Sequence, residues 1–150
     1  MLATEILQSY LDKMGKAVMD ERFEAYAAGV RLPLNLMTSS ANLTIATLDD
    51  LIDGFDDFCD MIQSQGVTYM VRLVHEARFA GPAEIVGVYQ TDLLKGTRPV
   101  VPTFYSKMWL GCFDGVWQAT KIHNTTRTAR WPILSHQVDT AQWPPKESLE

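Results

Sequence analysis

The sequence predicts an α+β domain in which N-terminal helices pack in the concave face of a curved, mostly antiparallel six-stranded sheet. Three observations predict it. Before residue 66, apolar side chains recur at helical spacing. From Val67 onward the period changes to two, in segments rich in Val, Ile, Thr, Tyr, Phe and Trp. Those segments are divided by Gly81-Pro82, Lys95-Gly96-Thr97 and Asp114-Gly115, turn signals that join neighbouring strands into a meander.

Each element has its own signature. Ile6, Leu7, Tyr10, Leu11, Met14, Ala17 and Val18 form one face of a helix over about residues 4 to 19. Asp20 can cap a short second helix through Phe23, Tyr26 and Ala27, which Gly29 would end. Leu32 to Met37 and Leu43 to Ala46 suit two short strands. Thr47 is an N-cap, with Asp49 and Asp50 in the first turn where the helix dipole favours negative charge. The helix it opens carries Leu48, Leu51, Ile52, Phe55, Phe58, Cys59 and Ile62 on one side and six aspartates on the other, and Gly66 stops it. Those aspartates lack the alternating loop spacing of a calcium site, so they read as a solvated face and no metal is expected. Four strands follow, near 67 to 79, 83 to 94, 100 to 113 and 116 to 125. Residues 1 to 126 make up the domain, and 127 to 150 form an irregular Pro- and Trp-dotted tail. Trp131, Ile133 and Leu134 are its apolar anchors, expected to lie along the body or a neighbour.

Composition narrows the function. A chain of 150 residues with 47% apolar and 21% charged residues is one domain able to bury a core without staples. Net charge is −5, and the nearest basic clusters, Arg127 to Arg130 and Lys95 to Arg98, are too sparse to follow a phosphate track. No nucleic-acid or membrane partner is expected, since no run approaches the length of a membrane span. The first residues lack the basic and apolar regions of a signal peptide, which predicts a cytoplasmic protein with Cys59 and Cys112 as reduced thiols. No Gly-rich phosphate loop, nucleophile elbow or Cys–His pairing is visible, and no cofactor is expected.

The Asp114-Gly115 turn sets a register. With Phe113 opposite Val116, Met108 stands opposite Lys121 and Ser106 opposite His123, and cross-strand partners share a face. One face then carries Phe104, Ser106, Met108, Leu110 and Cys112 with Trp117, Ala119, Lys121 and His123. It is greasy near the turn and polar at the far end, as a helix-covered pocket should be. The other face, with Tyr105, Lys107, Trp109, Gln118, Thr120 and Ile122, mixes aromatic and polar groups and predicts a homodimer through the outer sheet. On the strand near 67 to 79 the odd-numbered set is the more apolar, which turns His75 inward. Whether Tyr89 joins it is left open.

The order helix, helix, two short strands, long helix and four-strand meander resembles the NTF2-like superfamily. This is the cone-shaped fold of SnoaL-like polyketide cyclases, ketosteroid isomerase and scytalone dehydratase. The resemblance covers roughly residues 4 to 126, and its most specific piece is Asp114-Gly115-Val116-Trp117-Gln118-Ala119, which looks like the closing strand of those proteins. It implies a small apolar, carbonyl-bearing ligand in the cone, with lyase or isomerase chemistry by proton transfer. The family's general base comes from just after the first strand. Here Leu32 to Thr44 contains no Asp, Glu or His. The candidate catalytic residues are therefore His123, Lys121 and His75, and the candidate pocket residues are Tyr26, Tyr89, Ser106, Met108 and Trp117. The alternative is a non-catalytic homodimeric domain whose pocket is filled or vestigial, and cavity volume separates the two.

Overall fold

The computed structural model describes residues 1–38 and 41–124. Helix α1 (Ala3–Met19) starts where the Leu2 N–H donates to Glu5 Oε1 at 2.9 Å, and it buries Leu7, Tyr10, Leu11, Met14 and Val18 on one face. Asp20 does not cap the next helix as the sequence suggests. Its backbone closes α1 on the Lys16 carbonyl, and its carboxylate pairs with Lys16 Nζ at 2.9 Å. Helix α2 (Phe23–Ala27) is a short segment beginning after Arg22 with no side-chain cap. Helix α3 (Leu48–Ser64) opens at Thr47, whose Oγ1 accepts from the Asp50 N–H at 3.1 Å. Its six aspartates are all exposed, while Leu51, Phe55, Cys59 and Ile62 are buried. Gly66, at φ +70°, lets the chain leave the helix in a conformation that other residues rarely adopt.

The strands are β1 (Val30–Met37), β2 (Asn42–Ile45), β3 (Tyr69–Gly81), β4 (Glu84–Lys95), the two-residue β5 (Arg98–Pro99), β6 (Phe104–Phe113) and β7 (Val116–Asn124). They form one sheet in the order β2-β1-β7-β6-β4-β3, with β5 beside β4. Among the described strands only β1 and β7 run parallel. The expected six strands are present, and β5 is an addition too short to be read from sequence. The 127–150 tail and its anchors Trp131, Ile133 and Leu134 lie outside the described residues.

The helices lie across one face of this sheet. Leu7 of α1 seats on Gly87, where a Cβ would collide with the Leu7 side chain and with Ala77 of β3. Gln8, on the next position of α1, reaches the free edge of β3. Its Nε2 donates to the Arg72 carbonyl at 2.7 Å, and its Oε1 accepts from the Val74 N–H at 2.9 Å. One carboxamide thus satisfies two groups of an edge strand that no other described strand pairs.

Two β-bulges decide which side chains face the helices. In the β6–β7 hairpin the expected register holds from Phe113↔Val116 to Leu110↔Ala119. Beyond Leu110 it slips by one residue, so Trp109 pairs with Lys121, Met108 with Ile122, Lys107 with His123 and Ser106 with Asn124. Thr120 is the extra residue, its Oγ1 donating to the Trp109 carbonyl at 3.3 Å. Past that point Ile122 and Asn124 turn inward, and Lys121 and His123 turn outward. The physical reason is plain: the unbroken register would bury a lysine and expose an isoleucine.

In β3 the inner set is the even-numbered one, contrary to the apolar count. Met70, Arg72 and Val74 face the helices, while Tyr69, Val71 and Leu73 are 59%, 45% and 53% exposed. His75 is the extra residue of the second bulge, between Val74↔Tyr89 and Glu76↔Val88. After it, Ala77 faces inward.

Candidate functional site

A cavity of about 70 Å³ lies between the helices and the sheet. Its apolar wall comes from Met14 and Val18 of α1, Phe55 and Phe58 of α3, Leu34 and Leu36 of β1, and Met108 and Ile122 of the hairpin. Leu34 and Leu36 stand in the segment where the resemblance places a general base. Both are 1% exposed, so β1 supplies grease and no titratable group. The polar side chains in the wall are Tyr10, Tyr26, Arg72, Tyr89, Thr91, Ser106 and Asn124. Among the described residues no Asp, Glu, His or Lys lines it.

One rung crosses the sheet at the cavity. Tyr89 of β4 stands opposite Ser106 of β6, which stands opposite Asn124 of β7. The Ser106 hydroxyl donates to Asn124 Oδ1, and the Tyr89 hydroxyl lies near enough to Ser106 to be influenced by it. The three are buried, and the Thr120 bulge is what brings an amide rather than an imidazole to the end of the rung. Tyr10 is fixed separately, its hydroxyl donating to the Gly29 carbonyl at 2.6 Å. Burial pushes the hydroxyls of Tyr10, Tyr26 and Tyr89 above the ordinary tyrosine range. The Arg72 guanidinium nearby pulls each back without cancelling that shift, so all three stay protonated at neutral pH.

Arg72 is the cation of this wall. It stands directly opposite Thr91 across β3 and β4, and both side chains face the cavity. Arg72 Nε and Thr91 Oγ1 are buried and find no hydrogen-bond partner among the described residues.

The expected site residues divide. Tyr26, Tyr89, Ser106 and Met108 line the cavity together. Trp117 is on the inner face and packs against the core, without lining the cavity. Lys121, His123 and His75 are not brought to it. Lys121 Nζ lies 4.6 Å from the centre of the Trp109 ring on the outer face, and His123 is paired there with Lys107. His75 is exposed, its Nε2 2.7 Å from Gln90 Oε1. Ile122, expected on the outer face, lines the cavity instead. Sequence reasoning missed Arg72, Thr91 and Asn124. The apolar count of its strand places Arg72 on the outer face, the unbroken hairpin register places Asn124 there, and Thr91 carries no signal of its own.

No protein-family model matches the chain, and no curated protein matches it. Solved structures do. An NTF2-like protein of unknown function from Shewanella oneidensis is 15% identical, with 81% of this chain and 98% of that one covered at a TM-score of 0.59. An NTF2-like protein of unknown function from Pseudomonas putida is 12% identical over 87% and 95% of the two chains, at 0.61. A putative calcium/calmodulin-dependent protein kinase II association domain from Xanthomonas campestris is 16% identical over 77% and 81%, at 0.56. At such identities the likeness speaks for the fold alone: the chain has the NTF2-like cone.

Proposed function

We propose that this protein is a small-molecule-binding domain that works through its cone cavity, taking a compact apolar molecule with a polar, carbonyl-bearing end. The observation that carries the reading is the wall itself, apolar on the helix side with polar atoms of Tyr26, Arg72, Tyr89, Thr91, Ser106 and Asn124 converging on one space. Proton-transfer chemistry of the isomerase or lyase kind finds no support in that wall, since no group of near-neutral pKa lines it among the described residues. A finer kinship with SnoaL-like enzymes rests on the cone and on the closing strand from Asp114 to Ala119. Cys59 and Cys112, both free thiols, fit a cytoplasmic protein.

The size of the cavity favours a second reading, a non-catalytic domain with a vestigial pocket. About 70 Å³ is well short of the several hundred that drug-sized ligands occupy. Met14 and Met108, each with three rotatable side-chain bonds, line the space and can swing aside to enlarge it. Either way the protein pairs with a second copy through the outer sheet, where Tyr69, Val71 and Leu73 are exposed beside the strand carrying Gln90 and its partner Tyr105. Native mass spectrometry of protein purified from its host tests both parts at once. A dimer mass with a retained small adduct is the expected result. Bare protein in every preparation, together with no thermal shift against a panel of small carbonyl compounds, would overturn the binding reading, and a monomer would overturn the interface.

A further inference from the structure

We infer that the ligand is a small organic anion, a short apolar carboxylate whose charged end is held by Arg72 and Thr91. The inference rests on the reading of the cavity as a ligand pocket and names the chemistry that pocket selects.

Its ground is the placement of two donors without acceptors. Arg72 and Thr91 are directly paired across β3 and β4, so their side chains leave the sheet side by side on the helix face. Arg72 Nε and Thr91 Oγ1 are each buried and each without a hydrogen-bond partner among the described residues. Buried donors are nearly always satisfied, and two adjacent exceptions at a cavity wall point to a shared acceptor. No carboxylate among the described residues pairs with Arg72. The phenols around it, Tyr10, Tyr26 and Tyr89, are held protonated by burial and leave its charge uncompensated. A half-buried cation with neutral surroundings carries a desolvation cost that a bound anion offsets.

The kind of anion follows from the rest of the wall. A guanidinium presents a planar fork that fits a carboxylate with two parallel hydrogen bonds. One cation and one hydroxyl suit a singly charged group, whereas a phosphate would leave charge and acceptors unmatched. The remaining surface is apolar, and the space, about 70 Å³, is small, which calls for a short tail. Because the chain as a whole carries −5, attraction for such an anion must come from this local site rather than from the general field.

Isothermal titration of the full chain with the straight-chain carboxylates from acetate to valerate, each against its primary amide, tests the inference. The amide keeps the shape and loses the charge. The expected result is binding of at least one carboxylate about tenfold or more tighter than its amide, the discrimination of a charge-assisted fork over a neutral pair. The Arg72→Leu variant is expected to lose that preference, and Arg72→Lys to keep only part of it. Equal binding of acid and amide would overturn the anion and leave the pocket reading standing. Binding of neither would overturn both. Should Arg72→Leu fail to fold, the acid–amide comparison on the native chain still decides.

Discussion

Removing the hydroxyl at the centre of the Tyr89–Ser106–Asn124 rung should cost more than an ordinary surface change, and its size can be worked out. Ser106 is 1% exposed, and Tyr89 and Asn124 are 3% exposed each. Ser106→Ala removes the donor to Asn124 Oδ1 and the hydroxyl that stands beside Tyr89, and leaves little space behind. An intramolecular hydrogen bond is worth about 1 kcal/mol net, and stranding a buried polar group costs about 1–3 kcal/mol. Part of this is recovered where Tyr89 turns toward the cavity, so the expected loss is about 2–3 kcal/mol. That is tolerable within a typical stability of roughly 5–15 kcal/mol, so the variant should fold. With a urea slope of about 2 kcal/mol per molar, the midpoint should fall by about 1–1.5 M. A companion variant with Asn124→Leu added should regain a good part of the loss, because an apolar pair strands no acceptor on that side. A fall in midpoint under about 0.2 M would refute the reasoning, since the rung would then contribute nothing. A double variant weaker than the sum of the two singles would locate the stability elsewhere.

Four other outcomes are expected. Gln8→Ala should cost about 1–3 kcal/mol, because it opens two hydrogen bonds at the β3 edge, and the Val74 amide should exchange with solvent measurably faster. Thr47→Ala should cost about 1 kcal/mol through the lost cap on Asp50, whereas Thr47→Ser should be close to neutral in the same melts. Alkali should weaken the fold. Burial, with Glu21, Asp56 and Asp60 nearby, raises the Cys59 thiol from 9.0 to about 11, and burial raises the three cavity tyrosines as well. The folded chain therefore holds these protons more tightly than the unfolded one. Their contribution is complete below about pH 9 and declines as pH rises through the folded values, so urea midpoints should drop steadily between pH 9 and 11. At pH 8 a thiol reagent should modify the partly exposed Cys112 well before Cys59. Equal rates for the two would contradict the buried setting of Cys59.

Local signals carried most of the fold. The Thr47 cap, the Gly66 stop and the Asp114-Gly115 turn each act over a few residues, and each stands where the sequence puts it. The hairpin register was likewise legible for as far as the turn governs it, down to Leu110 and Ala119. What failed is set by longer-range competition. Thr120 is pushed out of the ladder because Lys121 and Ile122 must exchange faces, a demand that arises only once helices cover one side and β1 joins β7. On β3 the apolar count pointed the wrong way, because Tyr69, Val71 and Leu73 are exposed on the outer face of an edge strand while Arg72 turns inward. The site therefore proved less legible than the scaffold. Four of the five expected pocket residues line the cavity, yet the charged group in its wall was assigned to the wrong side.

The Thr120 bulge has a consequence for how cones of this type diversify. A bulge absorbs one residue without moving its neighbours' partners, so loss of Thr120 would leave Ile122 and Asn124 on the wall, whereas flattening the bulge with Thr120 kept in the ladder would bring Lys121 and His123 there instead. Cavity chemistry can then change through local register alone while backbone shape barely registers it.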